Sequence, residues 1–261
     1  WFEVDAYLTV GLPWFGLGPR ARCAGRFLGF VVELRIFLDY ARTAFSDPGR
    51  PEAEASRQPS GSQGAVCDLE LANPGGPEVR QCRYCHVPKP PRCHHCKVCR
   101  RCVLKMDHHC PFVNNCVGLR NYRHFICFLV DLVAGCTLVA LSLLPQVPAM
   151  VFSRNHTMAR RVHAVVAFGV ALVAGGALVP FLLFHLQLVS LNKTSLELLG
   201  RRPPPSAAKG HGASDGGNSR GALENFAEVC GEPPAACVPC AEGLLLRLVP
   251  AHMARLAKRS E

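Results

Sequence analysis

Two long apolar runs dominate the pattern of hydrophobic and polar positions along this chain. Phe125 to Leu144 (FICFLVDLVAGCTLVALSLL) is twenty residues with one charge, Asp131, and Ala164 to Phe184 (AVVAFGVALVAGGALVPFLLF) is twenty-one residues with none. Each reaches the roughly twenty residues an α-helix needs to cross a bilayer. Core helices of soluble proteins seldom run so far without a polar interruption, so both runs are expected to span a membrane. Asp131 is then the costly position, expected to face a partner helix or a cavity and not lipid. The N-terminal part is mixed. Phe27 to Phe45 (FLGFVVELRIFLDYARTAF) has an apolar centre but carries Glu33, Arg35, Asp39 and Arg42, and helical spacing lets Arg35 and Asp39 pair. This stretch fits a charge-bearing membrane helix, or else an amphipathic helix lying on the surface. Residues 1–20 are broken by Pro13, Gly16, Gly18 and Pro19, which argues against a helix there.

Between these runs the chain is punctuated by polar segments. Pro48 to Gly64 and Pro203 to Gly217 have the Pro, Ser and Gly content of linkers. A short loop, Pro145 to Arg161, separates the two apolar runs and contains Asn155-His156-Thr157, a weak glycosylation signal. Within twenty residues outside the runs lie Lys105, Arg120, Arg123, Lys193, Arg201 and Arg202, against Arg154, Arg160 and Arg161 in the loop. That asymmetry places the outer flanks in the cytosol and the loop in the lumen. The chain begins at Trp1 with no signal-peptide pattern, as expected of a fragment short of its N-terminus.

The formal net charge of +10 admits a nucleic acid, a phosphate-rich ligand such as an acyl-CoA, or an anionic membrane face, and does not choose among them. Cysteine narrows the choice. Of fifteen cysteines, eight fall between Cys82 and Cys116, mixed with histidine at two-residue spacings, which points to reduced thiols and metal and not to a secreted disulfide scaffold. Zinc takes four tetrahedral ligands from thiolate and imidazole, and a two-residue gap lets one tight turn present two thiolates to one ion. Cys82 with Cys85, and Cys96 with Cys99, supply two such turns. His95, Cys102, His109 and Cys116 are available to complete them, so two four-ligand sites can be built from six cysteines and two histidines.

Cys110 is then left over, with Asp107 and His108 beside it, while Cys93, His86 and His94 have no assigned task. If residues 108–110 are extended, alternate side chains share a face, so His109 can bind metal while His108 and Cys110 point together the other way. A thiol beside an imidazole is an activated nucleophile, and a neighbouring carboxylate can orient the imidazole. The alternative is that Cys110 is a further ligand with no chemistry. Spacing by itself leaves both open.

The module is similar to the DHHC family of protein S-acyltransferases, whose name is the tetrapeptide Asp107-His108-His109-Cys110. The match continues through Asn115-Cys116-Val117-Gly118 and Asn121-Tyr122-Arg123-His124-Phe125. It reaches upstream to Asp47-Pro48-Gly49, and downstream to Thr194-Ser195-Leu196-Glu197 and to Gly221–Gly231 (GALENFAEVCG) with Asn225. The resemblance implies one zinc held by Cys82, Cys85, His95 and Cys102, and another by Cys96, Cys99, His109 and Cys116, both structural. It also implies Cys110 as nucleophile, His108 as its base and Asp107 as the orienting carboxylate. Two positions depart from the family pattern. Phe112 stands where the family has Trp, and Ser195 replaces the second Thr of its box, keeping a hydroxyl that can bond Asp107. The family's first helix is not recognisable here, and the second carries many charges.

The expected fold is therefore an α-helical multi-pass membrane protein with a small cytosolic zinc-bound cysteine-rich domain. Its parts are a membrane-associated N-terminal segment (1–46), a cytosolic linker with the Asp-Pro-Gly motif (47–81), the cysteine-rich domain (82–124), a transmembrane helix (125–144), a lumenal loop (145–161), a second such helix (162–189) and a cytosolic C-terminal region (190–261). The expected activity is transfer of a palmitoyl group from palmitoyl-CoA to substrate-protein cysteines near the membrane, in the Golgi, the ER or the plasma membrane. Arg100, Arg101, Lys105, Arg120 and Arg123 are candidates for the CoA phosphates. The competing readings are a non-catalytic zinc-organised membrane adaptor and a nucleic-acid binder. The ligand spacing matches no usual finger or knuckle, and two membrane spans also argue against nucleic acid. The tail beyond residue 231 adds Cys237, Cys240 and a basic apolar stretch, Leu244 to Arg259, suited to a membrane surface.

Overall fold

The computed structural model describes residues 18–51, 80–152, 157–200 and 221–230. Its elements, in chain order, are α1 (Pro19–Phe45), β1 (His94–Cys96), β2 (Arg101–Val103), β3 (His108–Cys110), β4 (Asn115–Val117), α2 (Tyr122–Leu143), α3 (Val147–Phe152), α4 (Met158–Ser190), α5 (Ser195–Leu199) and α6 (Ala222–Cys230). They form two compact units. One takes the described parts of Trp1–Tyr40, Ile126–Gln187 and Cys230–Glu261, and the other those of Ala41–Phe125 and Leu188–Val229. Most of both linkers, Asn155-His156 and the tail with Cys237 and Cys240 lie outside the described residues.

The first unit is helical. Among the described residues, α2 and α4, of 22 and 33 residues, are the two helices long and apolar enough to cross a membrane. α4 runs six residues beyond the apolar run at each end, since nothing in Met158–His163 or His185–Ser190 breaks it. At about 1.5 Å per residue it is longer than a hydrocarbon layer of roughly 30 Å. The expected loop between the two apolar runs is correspondingly shorter and holds the one-and-a-half turns of α3. Val139 and Leu143 of α2 pack on Ala164, Ala167 and Ala171 of α4, where small side chains let the two backbones approach.

α1 is longer than the apolar stretch read from the sequence. It starts at Pro19, a residue suited to the first helical position because its missing N–H would have no intrahelical partner there. Its C-terminal half packs on α2 through the edge-to-face pair Tyr40–Phe128, with ring centroids 5.7 Å apart. The Arg35–Asp39 pair forms only at 3.9 Å, whereas Arg35 Nε lies 3.0 Å from Asp131 Oδ1. Asp131 is buried on an apolar helix, so it recruits Arg35 as its counter-charge.

The second unit is held by two antiparallel ribbons. β1 pairs with β2 in the register His95 to Cys102, and β3 with β4 in the register His109 to Cys116. Each Cys-x-x-Cys turn is closed by a residue in the left-handed region, His86 (φ 56°) after Cys85 and Arg100 (φ 52°) after Cys99. The His86 N–H donates to the Cys82 carbonyl at 2.9 Å, and the Cys99 N–H to Cys96 Sγ at 3.3 Å. The Asp47-Pro48-Gly49 motif is stitched to this unit through its carbonyls. Arg120 N–H donates to Pro48 at 3.2 Å and Leu104 N–H to Gly49 at 3.1 Å, with Gly49 at φ 102°, where only glycine is unstrained.

Gly118 is the tightest point of this stitching. A Cβ there would sit 2.6 Å from Val103 Cγ1, 2.8 Å from the Pro48 carbonyl and 2.9 Å from the Leu104 carbonyl. Two of those neighbours are backbone and the third is a stiff β-branched side chain. Gly118→Ala is therefore expected to destabilise the unit by about 1–3 kcal/mol, read as faster loss of metal to a chelator. A wild-type release rate would show that the Pro48 segment moves freely.

Candidate active site and metal-binding clusters

The ribbons gather two tetrads of side chains that could hold metal, Cys82, Cys85, His95 and Cys102, and Cys96, Cys99, His109 and Cys116. Within each tetrad the ligand atoms lie within 4.8 Å of one another. In the first, His95 Nδ1 lies 3.6, 3.2 and 3.9 Å from the sulfurs of Cys82, Cys85 and Cys102. In the second, His109 Nδ1 lies 3.3 and 3.7 Å from those of Cys99 and Cys116, which are 3.5 Å apart. A tetrahedral zinc ion with Zn–S of about 2.3 Å and Zn–N of about 2.0–2.1 Å has edges of roughly 3.5–3.8 Å. Donor set and edge lengths both fit zinc. Tyr84, inside the first turn, stacks on the His95 ring at 4.7 Å.

Cys110 belongs to neither tetrad. On β3 the chain is extended as expected, so His109 turns into the second tetrad while His108 and Cys110 share the opposite face, each shifting the other's ionisation. His108 Nδ1–H donates to Asp107 Oδ2 at 2.7 Å, and the imidazole edge meets the Phe125 ring at 5.1 Å. Asp107 is fully buried and both of its oxygens accept hydrogen bonds. Ser195 N–H donates to Oδ1 at 2.8 Å and Ser195 Oγ–H to Oδ2 at 2.9 Å. The hydroxyl expected of Ser195 thus reaches its target, joined by its own backbone N–H.

These contacts set the charges. Burial works against ionising His108, but the bond to Asp107 and then that to Cys110 outweigh it and lift the imidazole to about 9. Burial also works against the Cys110 thiolate, and it is overcome first by His108 and then by the backbone around Phe112 and Val113, so this thiol lies below its ordinary range. Both shifts move the pair toward imidazolium beside thiolate, the reactive form of cysteine. Beyond Cys110, Pro111–Asn114 forms a tight turn closed by a left-handed Asn114 (φ 48°), and Phe112 at its tip is 86% exposed.

Other groups near the site escaped the sequence reading. Arg92 clamps the segment carrying Ser195. Its Nε and Nη2 bond the two Glu197 carboxylate oxygens at 2.6 and 2.9 Å, and it also donates to the Asn192 side chain and carbonyl at 3.1 and 2.8 Å. Glu197 completes a capping box with Thr194 at the start of α5. The Thr-x-x-Glu spacing carries that signal, whereas Arg92, 105 residues away, carries none. Of the expected phosphate contacts, Arg101 is bonded to Asn115 at 2.8 Å, Lys105 to Glu228 at 2.8 Å, and Arg120 lies 3.7 Å from Asp47. These three cations thus have protein partners. Cys93 is buried against Cys82, Cys102 and Leu104 as a small apolar side chain. Asn225 of α6 donates to the Ser190 carbonyl at 2.8 Å.

Residues 77–201 match the DHHC palmitoyltransferase family. The chain is 39% identical over 194 residues to probable protein S-acyltransferase 14 of Arabidopsis thaliana, covering 70% of this chain and 63% of the relative. To probable protein S-acyltransferase 13 of the same plant it is 35% identical over 183 residues, 65% of this chain and 60% of the relative. To palmitoyltransferase ZDHHC20-B of Danio rerio it is 33% identical over 221 residues, 78% of this chain and 67% of the relative. The chain thus spans less than two thirds of either plant relative. An Asp-His-His-Cys strand whose His109 enters one of two Cys/His tetrads, apolar helices of membrane-spanning length and similarity along most of the chain lead to one assignment: the chain belongs to the DHHC palmitoyltransferase family, a family of membrane proteins.

Proposed function

We propose that this chain is the catalytic part of a protein S-acyltransferase that moves a palmitoyl group from palmitoyl-CoA to cysteines of membrane-proximal proteins. The observation that carries the reading is the cysteine of the Asp-His-His-Cys strand, outside both tetrads and on the same strand face as a histidine that is itself held by a buried aspartate. The Cys110 thiolate attacks the thioester carbonyl of the acyl-CoA, the bond from that carbonyl to the CoA sulfur breaks, and the departing sulfur takes a proton from His108. In the second half a substrate cysteine, deprotonated by His108, attacks the acyl-Cys110 thioester and releases Cys110. Each half exchanges one thioester for another, so the chemistry demands little energy and positioning dominates.

Two zinc ions belong to this proposal, one on Cys82, Cys85, His95 and Cys102 and one on Cys96, Cys99, His109 and Cys116. When bound they supply rigidity to the ribbons and not reactivity, since neither tetrad includes Cys110. The chain would cross the membrane more than once, through α2 and α4 and with α1 as a third, charge-bearing element, and the cysteine-rich unit would face the cytosol of an endomembrane or of the plasma membrane. The direct test is to incubate purified protein in lipid nanodiscs with palmitoyl-CoA and map the adduct by mass spectrometry. A hydroxylamine-labile palmitoyl group on Cys110 is expected, with stoichiometric release of CoA. Its absence, or its presence only on another cysteine, overturns the proposal.

A further inference from the structure

An α-helix leaves its last four carbonyls without intrahelical partners, and where those carbonyls are buried something must bond them. In α1 they belong to Arg42, Thr43, Ala44 and Phe45. The first is taken by the Ser46 N–H at 3.1 Å. The next two are met from the cysteine-rich ribbon: Asn115 Nδ2 lies 3.2 Å from the Thr43 carbonyl and 3.0 Å from that of Ala44, with the Ser46 carbonyl at 2.9 Å. Asn121 Nδ2 reaches the Thr43 carbonyl as well, at 3.2 Å, while also bonding the Cys116 carbonyl at 2.8 Å. The acceptor half of Asn115 is equally occupied. Its Oδ1 receives Arg101 Nη2 at 2.8 Å and the Cys116 N–H at 2.9 Å.

Asn115 is 5% exposed and lies in register directly opposite Cys110 across the β3–β4 ribbon. We infer that Asn115 is a positioning residue for the acyl-transfer reaction. Its amide ties the last turn of α1 to the backbone position facing the nucleophile, and so fixes the ribbon on which Cys110 is presented to an acyl thioester. The inference rests on the reading of Cys110 as acyl acceptor and of α1 as a membrane-associated helix. The site demands an amide on a short stem. Aspartate has the acceptor but no N–H for the carbonyls, and glutamine adds a methylene to a buried, fully bonded position. Asn115 touches a tetrad residue only through the Cys116 backbone N–H and not through a sulfur or imidazole nitrogen, so its carbonyl contacts are separable from metal binding.

The test uses the full chain in nanodiscs. Asn115→Asp keeps the acceptor toward Arg101 and loses all three carbonyl contacts, and Asn115→Ala loses them without placing a negative charge at a helix C-terminus. Three readouts are taken: zinc content, the rate of Cys110 alkylation by iodoacetamide, and the rate of palmitoyl adduct formation. Both variants are expected to hold two zinc ions and to alkylate at the wild-type rate, yet to acylate on the order of a hundredfold more slowly, the cost typical of a displacement of about 1 Å at a reacting centre. Wild-type acylation in either zinc-replete variant overturns the inference. So does zinc loss in both variants, or an equal fall in alkylation and acylation, since each marks a merely structural role. Wild-type protein that forms no adduct overturns instead the acyltransferase reading on which the inference rests.

Discussion

Cys110→Ser is expected to retain both zinc ions and the fold while forming no hydroxylamine-labile adduct with palmitoyl-CoA. The ground is geometric. Cys110 lies outside both tetrads, so a hydroxyl in its place removes no metal ligand. The hydroxyl lacks the lowered ionisation of the thiol, which the bonds from His108 and the backbone around Phe112 and Val113 bring about. His108→Ala is expected to keep the metals as well and to acylate roughly a hundred- to ten-thousand-fold more slowly, the usual contribution of a positioned acid–base group. Asp107 sits one step further back. It is buried, bonded twice by Ser195 and once by His108, and its replacement releases the orientation of the imidazole. Metal analysis together with adduct mass spectrometry checks all of this. Zinc loss in Cys110→Ser would make that cysteine a ligand, full acylation of the same variant would move the chemistry to another thiol, and an inactive wild type with intact metal sites would favour the adaptor reading.

His109→Ala, one residue away from His108, is expected to behave in the opposite way. Its Nδ1 lies 3.3 and 3.7 Å from the sulfurs of Cys99 and Cys116, so its loss opens the second tetrad. Apparent binding of a structural zinc contributes about 10–16 kcal/mol in zinc-finger peptides, and in small metal domains that binding energy is folding energy. Both His109→Ala and Cys99→Ser are therefore expected to fall from two zinc ions per chain to one or fewer, to become protease-sensitive across residues 96–117, and to lose acylation because the strand carrying Cys110 loses its anchor. Inductively coupled plasma measurement of zinc per chain gives the count. Two ions in either variant would refute the ligand assignment.

The difference between those neighbours was open to prediction because it arises over short distances. Two-residue cysteine spacing, strand alternation and the apolar runs depend on residues a few positions apart, so the eight candidate donors and the bodies of α2 and α4 could be read directly, whereas the grouping of the donors and the separate role of Cys110 came only with the family resemblance. Helix ends were less legible. α4 continues past its apolar run because no residue stops it, and α3 lies in a stretch whose composition suggested a loop. The capping box at Thr194 and Glu197 is local and its Thr-x-x-Glu spacing was there to be read, whereas its partner Arg92 carries no such signal.

What the sequence by itself determined is the chemistry available: eight zinc-suited donors, one thiol in excess with an imidazole and a carboxylate beside it, and two spans that only a bilayer or a core would accept. What only the tertiary structure decided is how the buried polar groups are satisfied. Asp131 is answered by Arg35 from 96 residues away, and the Thr43 and Ala44 carbonyls ending α1 by Asn115 from 72 and 71. A buried polar or charged group must be paired, but the pairing energy depends on distance in space and not along the chain. No spacing rule announces such partners. They emerge only when packing brings distant segments together, and in this protein they orient the residues that the sequence had already singled out.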